Sequence, residues 1–175
     1  MTSVKTQVEW LRTLRPGDIS TLCDATIQAI DVGLGFDWVK SPRRDLLERY
    51  WQGVLLVPDR DLLIGRIENV IAGTAQMLKP PSNNEAGSFN VVMTSFFVAP
   101  WARGYGLARD MLAEFENQSR KIGYTQISLD VRETQEAAIA LYEGAGYKKW
   151  STKERYARVE GKYIKGFFYT KDLSL

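Results

Sequence analysis

Apolar residues recur along this chain in two rhythms, an alternating one and a helical one, and the switches between them mark out its elements. Trp10 to Arg15 alternates imperfectly and meets Pro16-Gly17, which predicts a first strand closed by a turn. Asp18 then stands as an N-cap before Ile19, Leu22, Cys23, Ile27 and Ile30 at helical spacing, and Gly33 and Gly35 stop that helix. Ser41-Pro42 opens a second helix, with Leu46, Leu47, Tyr50, Trp51 and Val54 as its apolar face and Pro58 beyond its end. Strands follow over Leu62–Ile67 and Val70–Leu78, joined at Glu68-Asn69, then a loop at Pro80–Asn84 and a long apolar strand over Phe89–Val98. Residues from Gly104 to Lys121 carry a helical stripe of Leu107, Met111, Leu112 and Phe115. Ile127, Leu129 and Val131 alternate as a strand, Gln135–Ala145 reads as a helix capped by Gly146, and the tail reads as a hairpin over Lys148–Val159 and Tyr163–Lys171.

The order β-α-α-β-β-β-α-β-α-β-β predicts a mixed α/β or α+β fold, and 175 residues suit one domain over 1–175. A composition 45% apolar and 25% charged is that of a globular chain with a core of its own. The chain has no histidine and one cysteine, Cys23. Histidine-dependent triads and most zinc sites are thereby excluded, no metal site is expected, and proton chemistry falls to Asp, Glu, Tyr, Cys, Lys or water. A lone cysteine on an apolar helical stripe reads as core and suits a reducing cytoplasm. Net charge is +2, from 23 basic and 21 acidic residues without an evident basic stripe, which argues against a nucleic-acid partner. No apolar run is long enough for a membrane span, and Met1 to Val8 has no signal-peptide core.

The most informative stretch runs from Phe96 to Ala108, where an apolar strand enters Ala99-Pro100, then a glycine turn, then an amphipathic helix. Unpaired N–H groups and the helix dipole at such a start bind phosphate, and glycines admit close approach of the anion. A P-loop is absent, and Arg109 stands where a dinucleotide fingerprint needs Gly or Ala. Arg103-Gly104-Tyr105-Gly106-Leu107-Ala108 resembles the [RQ]-x-x-G-x-[GA] signature of the GCN5-related N-acetyltransferases, with Val98-Ala99-Pro100 matching the end of that family's fourth strand. The resemblance implies a mixed central sheet of about six to seven strands flanked by about four helices. It also implies acetyl-CoA as co-substrate. The pyrophosphate would lie on the backbone of Gly104, Tyr105, Gly106, Leu107, Ala108 and Arg109 beside Arg103, and the pantetheine arm along Phe96, Phe97 and Val98.

Leu129 to Tyr147 resembles the family's second signature, L-[ED]-V-x-x-x-N-x-x-A-I-x-L-Y-x-x-x-G-[FY]. Two signatures in order are far more specific than one. Taken alone, Tyr142 is an aromatic on a helix face beside Leu141 and Ala138; the resemblance puts its hydroxyl at the thioester sulfur, as the acid that protonates the leaving thiolate. Asp130, twelve residues earlier, matches a carboxylate that serves as general base in one bacterial subgroup. Strand alternation sends it away from Ile127, Leu129 and Val131, alongside Ser128 and Arg132. A structural ion pair with Arg132 and a water chain are the alternatives, since Val91 and Val92 occupy the region where many members carry their base. Gln135 stands where the family has Asn and keeps an amide that can reach the coenzyme.

The implied reaction is direct attack of an amine on the thioester, with a backbone N–H near Phe97 holding the oxyanion. The acceptor would be shaped by the first two helices, their loop and the C-terminal hairpin. Leu34-Gly35-Phe36-Asp37-Trp38 offers aromatics with a carboxylate to an ammonium group, or equally a glycine-broken loop with buried aromatics. A coenzyme-binding module without catalysis is the alternative function. Monomer and homodimer both stay open.

Overall fold

The computed structural model describes residues 3–34 and 36–174, so Gly35 lies outside the described residues. Its elements are β1 (Thr6–Leu11), α1 (Asp18–Asp31), α2 (Arg44–Val54), β2 (Arg60–Ile67), β3 (Val70–Leu78) and β4 (Asn90–Val98). There follow a short 3₁₀ turn at Pro100–Ala102, α3 (Leu107–Ile122), β5 (Gln126–Arg132), α4 (Glu136–Gly144), β6 (Lys148–Val159) and β7 (Lys162–Asp172). The strands form one mixed sheet in the order β1-β2-β3-β4-β5-β7-β6. Its pairs are antiparallel except β4 with β5. With four helices, this is the α/β architecture that the order of elements predicts.

Two cores lie on opposite faces of the sheet. One joins Leu22 and Ile30 of α1 and Leu47 and Trp51 of α2 to Leu62, Ile64, Ile71 and Phe97. The other joins Leu107, Met111 and Phe115 of α3 and Tyr142 of α4 to Leu63, Met77, Met93, Ile127 and Leu129. Trp51 is fully buried, and its indole N–H donates to Thr26 Oγ1 at 3.1 Å. The apolar ring can therefore be buried, for roughly 2–3 kcal/mol, without leaving a donor unpaired. Cys23 is in this core, and burial pushes its thiol up to about 11.

Five local expectations are corrected. The first strand is Thr6–Leu11, not Trp10–Arg15, because pairing of Thr6 through Leu11 with Ile67 through Leu62 sets its register; a local alternation does not show a distant partner. Gly17, at φ 86°, precedes α1, and Asp18 is the first helical residue rather than its cap. The Asp18 carboxylate accepts the Arg15 N–H and both terminal nitrogens of Arg66. Helix α2 begins at Arg44, after Arg43; the Ser41 hydroxyl donates to Asp31 at 3.0 Å, tying down the end of α1. Leu46 is exposed, so only Leu47, Trp51 and Val54 of the expected face are buried. Helix α3 starts at Leu107, leaving the glycine turn outside it.

The end of α4 matches the sequence expectation in detail. Gly146 adopts φ 90°, its N–H donates to Glu143 O, and the Tyr147 N–H donates to Tyr142 O at 3.0 Å. These are the two bonds of a Schellman cap, and the accompanying contact is the packing of Tyr142 on Tyr147, 5.7 Å between centroids.

Buried Arg66 is paired with Asp18 and Glu9, both at 2.7 Å. Burial alone would raise the Asp18 carboxyl; the Arg66 guanidinium and the Arg15 N–H outweigh it and hold the carboxyl below its ordinary range. A carboxyl depressed in the folded state contributes stability above its unfolded pKa of about 3.9 and loses it as pH falls through the folded value. Asp18→Asn should therefore cost about 3 kcal/mol at pH 7, as expected for breaking a buried pair. In urea melts across pH, the gap between wild type and variant should narrow below about pH 4.

Candidate active site

Strand β4 carries an irregularity that shapes the site. Gly73 and Thr74 pair with Val98 and Phe97, and Gln76 pairs with Thr94, so Ser95 and Phe96 together face Ala75 alone. Ser95 takes up the extra residue at φ 51°. The bulge inverts facing: Val91 and Met93 belong to the core under α3 and α4, while Phe97 belongs to the core under α1 and α2. It also turns β4 away from β5, which pairs with it only from Asn90 to Val92.

The backbone polarity of the freed edge follows from planar trans peptides, in which N–H and the preceding C=O point in opposite directions. The Ser95 carbonyl accepts the Thr74 hydroxyl at 2.8 Å on the β3 side, so the Phe96 N–H points into the gap. Phe97 pairs with Thr74, and the Ala99 N–H donates to Ala72 O at 2.7 Å, so the Phe97 amide faces β3 and the Val98 N–H faces the gap. The oxyanion donor expected near Phe97 is thus a choice between Phe96 and Val98. Phe97 itself is 2% exposed and serves as packing.

Gly104 and Gly106 adopt φ 86° and 79°, in the left-handed region that favours glycine. A Cβ built on either meets nothing within 4 Å. Helix α3 starts from Gly106 with no side-chain cap, which leaves the N–H groups of Leu107, Ala108 and Arg109 unpaired within the helix. The Leu107 side chain is buried, so only its backbone is available, whereas Arg103, Tyr105 and Arg109 are exposed around the turn. Open space, aligned donors and two flanking guanidinium groups form a cradle that fits a pyrophosphate.

A cavity of about 170 Å³ occupies the β4–β5 gap, walled by Met93–Phe96 of β4, Asp130–Arg132 of β5, Gln135, Tyr142, Phe36, Asp37 and Tyr156. Tyr142 is 4% exposed and packs against Phe96, 5.9 Å between centroids. Burial, and then the Asp130 charge, push its phenol well above the ordinary value, so it carries its proton at neutral pH. Asp130 opens on the same cavity, and its carboxylate accepts the Tyr156 hydroxyl. Arg132 instead donates to the Phe36 carbonyl, which holds the α1–α2 loop against β5. Gln135 lines the cavity and reaches Gly33 O at 3.5 Å.

Tyr142, Asp130, Phe96 and Gln135 therefore meet, and the glycine turn stands apart from them as a second feature after β4. In the α1–α2 loop, Phe36 is buried against Trp51 and Phe97, with Trp38 packed on it, so the aromatics are structural. Asp37 is the charged member of that segment that lines the cavity, beside Phe36. Sequence reasoning missed Ser95 and Tyr156. A glycine isolated within a strand signals close backbone approach, and Gly166, beneath the Tyr156 ring, was that signal. A larger depression of about 300 Å³ between β1 and α3, lined by Val8, Asp110 and Glu114 among others, is open to solvent and lies away from these groups.

Comparison with known proteins bears on the family and the fold. The family model described as acetyltransferase (GNAT) family matches residues 26–147. A curated protein of Azospirillum brasilense, described as an uncharacterized N-acetyltransferase in the hisH-hisA intergenic region, is 51% identical over 128 residues, covering 73% of this chain and 76% of that one. The crystal structure of an N-acetyltransferase from Staphylococcus aureus Mu50 superposes with a TM-score of 0.81 at 16% identity, covering 97% of this chain and 99% of that one. A putative acetyltransferase from Salmonella typhimurium, with its cofactor acetyl-CoA, superposes with a TM-score of 0.76 at 15% identity, covering 96% and 94%.

The cradle yields a direct test. Acetyl-CoA at about one hundred times its Kd should add about 2.7 kcal/mol and raise Tm by several degrees. In Gly106→Val, a branched residue at positive φ, the ligand-free Tm should fall by the equivalent of about 1–3 kcal/mol and the acetyl-CoA-dependent rise should vanish. Differential scanning fluorimetry reads both effects.

Proposed function

The chain belongs to the acetyltransferase (GNAT) family, and we propose that it transfers the acetyl group of acetyl-CoA directly to a primary amine in the β4–β5 gap. The observation that carries this reading is the meeting of a protonated, buried phenol and a carboxylate in one cavity, Tyr142 with Asp130. The unpaired β4 edge and the cradle at Gly104–Gly106 support a coenzyme bound along the strand and around the turn, with Arg103 and Arg109 beside its phosphates. Gln135 is the polar side chain at the start of α4 that can reach the same ligand.

In this mechanism the amine nitrogen forms the new bond to the acetyl carbon and the C–S bond breaks. The amine proton passes to Asp130, and the Tyr142 proton passes to the departing sulfur. Charge on the acetyl oxygen is met by the gap-facing N–H of Phe96 or Val98. The protonated carboxyl and the phenolate left at the end restore each other, directly or through solvent. No acetylated enzyme forms. Asp37 and Asp130 set two carboxylates beside Arg132 on the cavity wall, which suits an amine that arrives as an ammonium ion and gives one proton to solvent before its nitrogen attacks.

Tyr142→Phe tests the assignment because it keeps the ring, its packing on Phe96 and Tyr147, and the Schellman cap. Thiol release from acetyl-CoA with a panel of primary amines should first identify an accepted amine. With that amine, kcat of the variant should fall by roughly 10²-fold or more while acetyl-CoA affinity changes little. A Tyr142→Phe enzyme with normal kcat, chemistry being rate-limiting, would remove the general-acid role. Wild-type protein that binds acetyl-CoA and releases no thiol with any amine would support the non-catalytic module instead.

A further inference from the structure

Tyr156 is built into the site by a local arrangement that the transfer mechanism leaves unused. It lies on β6, and β7 separates that strand from β5, where Asp130 stands. Two strand spacings, about 10 Å, normally keep side chains on such strands apart. Here the ladder between β6 and β7 is broken from Lys153↔Gly166 to Ala157↔Ile164, so Glu154, Arg155 and Tyr156 face Lys165 alone. The extra residues re-aim Tyr156 over β7. Its ring crosses at Gly166, where an added Cβ would collide with Cγ and Cδ2 of the tyrosine. The edge of Phe168 fixes the ring from the side, 6.1 Å between centroids at 82°, and Phe168 is the cross-strand partner of Asp130. The hydroxyl then donates to the Asp130 carboxylate, in a cavity shared with Asp37, Arg132 and Tyr142.

Resting on the reading of Asp130 as proton acceptor, we propose that Tyr156 is a positioning residue that holds the Asp130 carboxylate toward the acceptor amine, and that Gly166 is glycine so that Tyr156 can do so. One carboxylate oxygen is occupied by the phenol and the other is left for the amine proton. An unpinned Asp130 would share its rotamers within the cavity, some of them turned toward the Arg132 guanidinium. The hydrogen bond removes that freedom, and orientation of this kind is what positioned catalytic groups need.

A double-mutant cycle separates positioning from plain structural support. Using the amine accepted by the wild-type enzyme, Tyr156→Phe and Gly166→Ala should each lower kcat by about tenfold, an order expected for losing orientation, with acetyl-CoA affinity and Tm nearly unchanged for Tyr156→Phe. In an Asp130→Asn background, Tyr156→Phe should lower kcat no further, because the group it positions is gone. Gly166→Ala combined with Tyr156→Phe should lose no more than Gly166→Ala alone. Equal, additive losses in the presence and absence of Asp130 would overturn the inference and leave acetyl transfer standing, since wild-type thiol release tests that separately. Normal kcat in Tyr156→Phe overturns it as well. An Asp130→Asn enzyme with wild-type kcat would remove the base reading and this inference with it.

Discussion

Ser95 is held at φ 51° inside β4, a conformation that costs a non-glycine residue about 1–2 kcal/mol. The Thr74 hydroxyl, itself buried, secures it by donating to the Ser95 carbonyl. Much of the molecule depends on that one residue. It inverts the facing of Phe96, Phe97 and Val98, so that Phe97 closes the core beneath α1 and α2 while Phe96 packs on Tyr142. It ends the pairing of β4 with β5 at Val92, which opens a gap between those two strands. Without the bulge, the edge would be consumed by β5 and no cavity would separate the two strands.

The gap brings together groups from parts of the chain that share no local pattern. Arg132 holds the Phe36 carbonyl, which sets Asp37 at the rim, and Phe36 is buried against Phe97 on the strand that carries the bulge. Tyr142 is placed by the Schellman cap at Gly146 and by Phe96. Burial keeps its phenol protonated, while Asp130 stays open to the cavity. A phenol is a far weaker acid than a carboxylate from the outset, and burial pushes Tyr142 further in that direction.

The fold and part of the site were legible in the sequence because their signals are local. Helical spacing, the glycine turn before α3 and the cap after α4 each lie within a few residues, and the two signatures sit on those features. Long-range pairing was less legible. The extent of β1 is set by β2, about fifty residues away, and Asp18 reads as a cap until Arg66 comes to meet it. Ser41 looks like a helix start until Asp31 takes its hydroxyl. Ser95 carries no local mark, since its conformation is imposed by pairing on either side. Tyr156 reaches Asp130 across an intervening strand, and only Gly166 hinted at the crossing.

The central claim is that β4 offers an unpaired backbone edge on which acetyl-CoA lies as an added strand would. Residue-resolved amide hydrogen exchange tests it most directly, because the N–H groups of neighbouring residues should behave oppositely. In the free protein, the Phe97 amide should exchange slowly and those of Phe96 and Val98 much faster. Saturating acetyl-CoA should slow Phe96, Val98 or both, and leave Phe97 little changed. Phe96 and Val98 amides already as protected as Phe97 in the free protein, or unaltered by saturating acetyl-CoA, would contradict the account.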